Sequence, residues 1–152
     1  MFFEDIGFYW VHKILHNPSL YWIHKFHHEH YNTVSIAPTS AHPLEYILSN
    51  VIPTGMGLSL LANFTPVHFV TIFIWFTYRV FETCDGHCGY EWSWGSNSFL
   101  PFKLDSDYHN FHHAYNCGNY GSMFVFWDNL MGTNQEYKKF ADKIPKKGSK
   151  IL

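Results

Sequence analysis

Apolar and aromatic residues run from Ile6 to His16 without a proline, a pattern that predicts a helix. Asn17-Pro18-Ser19 interrupts it, and Pro18 suits the first turn of a second helix reaching about Tyr31. Residues 32–43 hold two prolines and several small polar residues and read as irregular. The longest apolar stretch follows, Leu44 to Phe81, broken at Asn63-Phe64-Thr65-Pro66. Its first part, Leu44 to Ala62, has the length of a membrane crossing, which takes about 20 residues. The second, Val67 to Phe81, spans roughly 22 Å against a hydrocarbon core of about 30 Å. It crosses only if Trp75, Tyr78 and Arg79 reach into the interface. Beyond Phe81 the chain is polar and rich in Gly, Asn and aromatics. His109 to His113 falls on a short helix and Met123 to Met131 on another, closed by Gly132. A single domain over residues 1–137 is thus followed by a lysine-rich, solvated tail over 138–152.

These elements make an all-α protein, membrane-embedded through one hydrophobic helical hairpin. A hairpin returns the chain to the side it left, so the segments before Leu44 and after Phe81 can meet there. Lys13 and Lys25 ahead of it, and Lys138, Lys139, Lys143, Lys146, Lys147 and Lys150 behind it, share that side. Positive charge marks it as cytosolic. A hairpin buried in a soluble core is the alternative, kept open by Glu45, Asn50 and Pro53. The sequon-like Asn63-Phe64-Thr65 carries no weight, pressed between Pro66 and the bilayer.

Composition sharpens this picture. The 152 residues suit one domain, with 20% aromatic and 14% charged residues, against roughly 25% charged in an ordinary soluble domain. Such a chain buries surface against something besides its own core. A formal charge of -2 gives no electrostatic basis for binding nucleic acid. Cys84, Cys88 and Cys117 form no C-x-x-C pair and read as small buried residues in a reducing compartment. Met1-Phe2-Phe3-Glu4-Asp5 has acid where a targeting peptide has base.

Histidine is the outlier: twelve are present, more than the ten Lys and Arg together. His12 and His16 form an H-x-x-x-H, and on a helix those positions share a face. His24, His27 and His28 form an H-x-x-H-H, and His109, His112 and His113 repeat it. His42 and His87 bracket the apolar hairpin as single residues. One pair is commonly a satisfied core histidine. Eight imidazoles on three helical faces are costly to bury without a cation. His30 and His68 are assigned ordinary packing roles.

Eight to ten imidazoles supply two metals with four or five ligands each. Nitrogen donors with an open position suit iron, copper or zinc, so ligand type alone leaves the metal open. A carboxylate-bridged di-iron bundle needs Glu-x-x-His motifs, and the chain has none. Asp5, Glu45, Glu82, Asp107 and Asp128 are candidate acceptors for the outward N–H groups of ligating rings.

The order H-x-x-x-H, H-x-x-H-H, apolar hairpin, H-x-x-H-H resembles the fatty acid hydroxylase superfamily, and within it the C4-methylsterol monooxygenases. Further likeness lies in Glu4-Asp5, Phe8-Tyr9-Trp10, Ala41-His42-Pro43-Leu44-Glu45, Glu82-Thr83 and His87-Cys88-Gly89-Tyr90. It continues through Gly118-Asn119-Tyr120, Phe126-Trp127-Asp128 and Gly132-Thr133, covering the chain from Glu4 to Tyr137. The resemblance implies two iron ions held by His12, His16, His24, His27, His28, His109, His112 and His113. His87 is a further ligand and His42 a candidate. It also implies O2 as co-substrate, electrons from NAD(P)H through cytochrome b5 or a similar donor, and oxidation of an unactivated C–H bond in a sterol or other lipid. The location it implies is the endoplasmic reticulum membrane, with the site facing the cytosol.

Three departures bear on this. Glu91 stands where some relatives carry another His, so His42 or Glu91 itself is left to fill that place. Asn110 replaces an Asp usual in the sterol branch, and Thr39-Ser40 replaces an acidic-aromatic pair. Relatives also carry a membrane hairpin upstream of the first motif, where this chain has almost nothing. The chain alone is therefore expected to turn over poorly. Alternatives are a sterol desaturase, side-chain-modifying or fatty-acyl hydroxylase of the same superfamily, a zinc-dependent membrane hydrolase, and a non-catalytic metal-binding membrane protein.

Overall fold

In this computed structural model, residues 2–92, 94–95 and 99–143 are described. Helix α1 (Phe2–Leu15) begins ahead of its apolar run, with Glu4 and Asp5 in the first turn where acids favour the helix dipole. The second predicted helix is mostly not a helix. Only α2 (Tyr21–His24) is α-helical, and His27–Glu29 is a separate 3-10 turn. That break matters for the histidines. Residues 32–42 are irregular apart from a 3-10 turn at Ala37–Thr39, and Pro43 opens the next helix.

The two apolar arms form. In the first, α3 (Pro43–Glu45) passes through a π-helical segment (Tyr46–Val51) into α4 (Ile52–Ala62). The second is α5 (Phe69–Gly86). Among the described residues no helix is long and apolar enough to cross a membrane. The π-helical turn divides the first arm, and the second ends in a polar run, Glu82 to Gly86. The first arm packs chiefly along α1, where Gly7 permits close approach: a Cβ there would lie 3.3 Å from the Pro53 Cβ.

What the arms turn inward is polar. Glu45, Ser49, Thr54, Arg79 and Glu82 are buried, whereas Ile47, Val51, Ile52, Phe73, Ile74 and Val80 are exposed. Arg79 Nε donates to Glu4 Oε1 at 2.6 Å, its Nη1 pairs with Glu82, and Thr54 Oγ1 donates to Glu4 Oε1 at 2.9 Å. This network joins α1, α4 and α5. Removing one partner of such a buried ion pair costs about 3–5 kcal/mol, because the remaining charge is stranded.

The chain is completed by α6 (Ser106–Tyr115), α7 (Phe126–Met131) and α8 (Gln135–Ala141), with an isolated antiparallel bridge between Lys103 and Phe124. Gly132 closes α7 in the left-handed conformation. The expected lysine-rich tail begins inside α8, whose Tyr137 and Phe140 rings lie 5.4 and 5.0 Å from Phe111. Residues 144–152, including Lys146, Lys147 and Lys150, lie outside the described residues. The three cysteines are unpaired and half-buried rather than core residues.

Candidate metal centre

Nine histidines converge in two adjacent groups, each with its donor atoms within 4.8 Å of one another. His12, His16, His24, His28 and His112 form the first; His27, His87, His109 and His113 form the second. α1 delivers His12 and His16 to the same group, as its i, i+4 spacing requires. The two H-x-x-H-H motifs are each divided. α2 ends at His24, and the 3-10 turn that follows sends His27 to the second group while His28 rejoins His24. On α6, His109 and His113 go together and His112 points to the other group. Each motif therefore bridges the two groups and fixes the distance between them.

Backbone carbonyls orient four of the nine rings. His12 Nδ1–H donates to Tyr120 O at 2.9 Å, His112 to Gly118 O at 2.6 Å, His87 to Thr83 O at 2.8 Å and His113 to His30 O at 3.1 Å. His24 Nδ1–H donates to Glu45 Oε1 at 2.7 Å. With Nδ1 carrying the proton, Nε2 keeps its lone pair, and these Nε2 atoms point inward. His12 and His24 place theirs 3.1 Å apart; His24 and His28, 3.0 Å; His16 and His112, 3.1 Å. In the second group the separations are 3.3 Å for His27–His87, 2.8 Å for His87–His109 and 3.2 Å for His109–His113.

Where both rings commit Nδ1–H outward, as His12 and His24 do, they cannot hydrogen-bond through Nε2 and the two lone pairs simply face each other. Nor does protonation relieve this. Burial pushes every ring in both groups below the ordinary imidazole range, to about 3 for His16 and about 4 for His28 and His87. His12, His24, His27, His109, His112 and His113 move in the same direction, again chiefly by burial, with neighbouring rings adding to it. A cation between the rings removes the conflict. With metal–nitrogen bonds of about 2.1 Å, adjacent ligands lie about 3.0 Å apart in an octahedron and about 3.4 Å in a tetrahedron. The donor sets fit two ions.

The proposed acceptors divide. Glu45 holds a ring directly. Asp128 acts one step removed: it accepts from Tyr120 N at 2.9 Å, Gly121 N at 2.8 Å and Thr133 Oγ1 at 2.5 Å, so it fixes the loop whose carbonyls hold His12 and His112. Gly118 in that loop has φ of +57°, and a Cβ would collide with Thr133 O. Asp5 instead accepts from Met123 N at 2.8 Å and Phe124 N at 3.3 Å, and burial raises its carboxyl to about 6. Glu82 is engaged by Arg79, and Asp107 sits exposed in the first turn of α6.

Among the described residues His42 and Glu91 belong to neither group. His42 Nδ1 accepts from Leu44 N at 3.2 Å as the cap of α3, and its ring packs on Trp22. Glu91 Oε1 accepts from Asp107 N at 2.9 Å, at the start of α6. The four carbonyls that set the ring tautomers were invisible in the sequence, since every residue carries one. Beside the groups lies a narrow cleft lined by His12, His24, His27, His87 and His109 together with Phe8, Glu45, Ser49 and Leu104.

A helical scaffold holding two adjacent all-histidine donor sets beside a cleft defines a class: helical proteins equipped for two metal ions in one site. The chain matches the fatty acid hydroxylase model over residues 1–133 and belongs to that family. It is 39% identical over 140 residues to methylsterol monooxygenase 2-2 of Arabidopsis thaliana, covering 90% of this chain and 51% of that protein. It is 36% identical to C-4 methylsterol oxidase erg25 of Schizosaccharomyces pombe, covering 91% and 47%. It is also 39% identical over 153 residues to very-long-chain aldehyde decarbonylase GL1-11 of Oryza sativa subsp. indica, covering 98% and 55%. The chain thus spans about half the length of these curated relatives. No solved structure matches it.

Proposed function

We propose that this chain carries the catalytic centre of a membrane-associated di-iron oxygenase that oxidises a sterol, most specifically a C4-methyl group. The observation that carries this is the convergence of Nε2 atoms in two adjacent groups, with nearest separations of 3.0–3.1 Å in the first and 2.8–3.3 Å in the second. His12, His16, His24, His28 and His112 would hold one iron, and His27, His87, His109 and His113 the other. The irons, when bound, supply activation of O2 with two electrons from an NAD(P)H-fed donor such as cytochrome b5. The residues of the chain do the rest. Carbonyls and Glu45 lock His12, His24, His87, His112 and His113 in the ligating tautomer. The cleft receives the reacting end of the lipid beside His27, His87 and His109, and its apolar wall at Phe8 and Leu104 keeps out bulk water.

Membrane association is supported by the inverted arms, polar within and apolar without; exposed apolar surface this extensive marks contact with lipid or another apolar partner. Lys13, Lys25, Lys138, Lys139 and Lys143 support a cytosolic placement at the endoplasmic reticulum membrane. The sterol reading follows the names of the Arabidopsis and Schizosaccharomyces relatives. A second reading, action on a very-long-chain aldehyde, is favoured by the equal identity to the rice protein. Sterol profiles of cells with and without the gene separate them. Accumulation of a 4-methylated sterol on loss is expected. Unchanged 4-methylsterols with a build-up of very-long-chain aldehyde would replace the first reading by the second.

A further inference from the structure

The cleft has a polar end that the metal groups do not use. Glu45 and Ser49 are 5% and 4% exposed, line the cleft, and stand four residues apart at the start of the π-helical segment. Glu45 gives Oε1 to His24, but Glu45 Oε2 and Ser49 Oγ are buried with no hydrogen-bond partner among the described residues. A buried hydroxyl left unpaired is costly, and π-helical insertions gather at functional sites. The neighbours on this segment, Tyr46, Ile47 and Leu48, face outward, so the turn aims its polar residues at the cleft against its own apolar character.

We infer that Ser49 and Glu45 form an anchor for an alcohol, holding the hydroxyl of the lipid beside the histidine groups. A carboxylate oxygen accepts and a serine hydroxyl both donates and accepts. Together they match a group that has one proton to give and lone pairs to receive. An aldehyde oxygen can only accept, so it has no proton to return to the pair. The inference rests on the sterol reading and deepens it. In a sterol the hydroxyl sits on carbon 3 and the 4-methyl groups on the adjacent carbon. Fixing that hydroxyl at Ser49 and Glu45 therefore places a 4-methyl carbon within a few bonds of the anchor, in the cleft that His27, His87 and His109 also line. The same pair would select against the aldehyde class named for the rice relative.

Equilibrium binding to the purified chain in detergent micelles tests this without turnover. The probes are a radiolabelled 4,4-dimethyl-3β-hydroxysterol, its 3-methyl ether and a saturated very-long-chain aldehyde. The native chain is expected to bind the alcohol at least about tenfold more tightly than the ether, the loss that follows when a buried polar site meets a ligand lacking its partner. Ser49→Ala is expected to bring that ratio below about threefold with ether affinity unchanged, and Ser49→Thr, which keeps the hydroxyl, to restore it. Equal binding of alcohol and ether by the native chain, or a ratio that survives Ser49→Ala, overturns the anchor while leaving the sterol reading intact. Failure of both sterols to bind, with or without binding of the aldehyde, overturns anchor and sterol reading together.

Discussion

The two histidine groups are built from the same side chain and often the same helix, yet they differ in access. The first has five donors, and two of them, His16 and His28, are only partly buried. The second has four, all buried, three of which line the cleft. An ion held by five nitrogens at the margin and an ion held by four in the interior are not equivalent. The outer set has a donor to spare, and water can replace a lost ring; the inner set has neither.

The largest effect is therefore expected at the inner group. His109 Nε2 lies 2.8 Å from His87 Nε2 and 3.2 Å from His113 Nε2, so His109→Ala opens its centre. Changing a group that merely orients a ligand costs about 10–100-fold in metal affinity, and loss of the ligand itself should exceed about 100-fold. His16→Ala at the outer edge should cost nearer tenfold. Metal titration of each variant checks the order, and equal losses would erase the asymmetry.

A second contrast lies in what holds the rings. Asp128→Ala frees the loop whose Tyr120 and Gly118 carbonyls orient His12 and His112, both of the first group. Affinity at one site should fall about tenfold with the other unchanged. Chelator-release kinetics resolve this as one accelerated phase rather than two.

Acid sharpens the comparison in the metal-free chain. The folded rings have depressed values, about 3 for His16 and about 4 for His28 and His87, whereas the unfolded rings titrate near 6.5. Between those limits the unfolded chain binds more protons, so stability is fully present above about 6.5 and is lost as pH falls toward 4. The denaturation midpoint of the metal-free chain should decline across that window, and bound metal should hold it level until protons compete for the rings. The smallest effect belongs to His42→Ala, which removes a helix cap worth about 0.5–2 kcal/mol and leaves metal content unchanged.

How much of this was legible beforehand divides along physical lines. The three motifs were readable because ligand spacing is local, and His12 and His16 needed nothing but a helix to meet. The division of His24, His27 and His28 was not, because it depends on α2 stopping at His24, and no Gly or Pro marks that stop. Spacing alone did not separate the single histidines His42 and His87; the family resemblance put His87 ahead, and the fold sets one as a cap and the other among donors. The carboxylates were identifiable as hydrogen-bond acceptors, but Asp128 works through peptide groups whose position no side-chain pattern records. The apolar arms were visible, while the polar faces they enclose, with Arg79 between Glu4 and Glu82, emerge only when α1, α4 and α5 come together.

The central claim is that two adjacent sets of imidazoles hold two ions. Iron analysis with X-ray absorption on the purified, iron-loaded chain tests it most directly. The account predicts about two irons per chain, one for each histidine group, with a nitrogen- and oxygen-donor shell and no sulfur neighbour. Iron well below one per chain after loading, or iron bound through Cys84, Cys88 or Cys117, would contradict it.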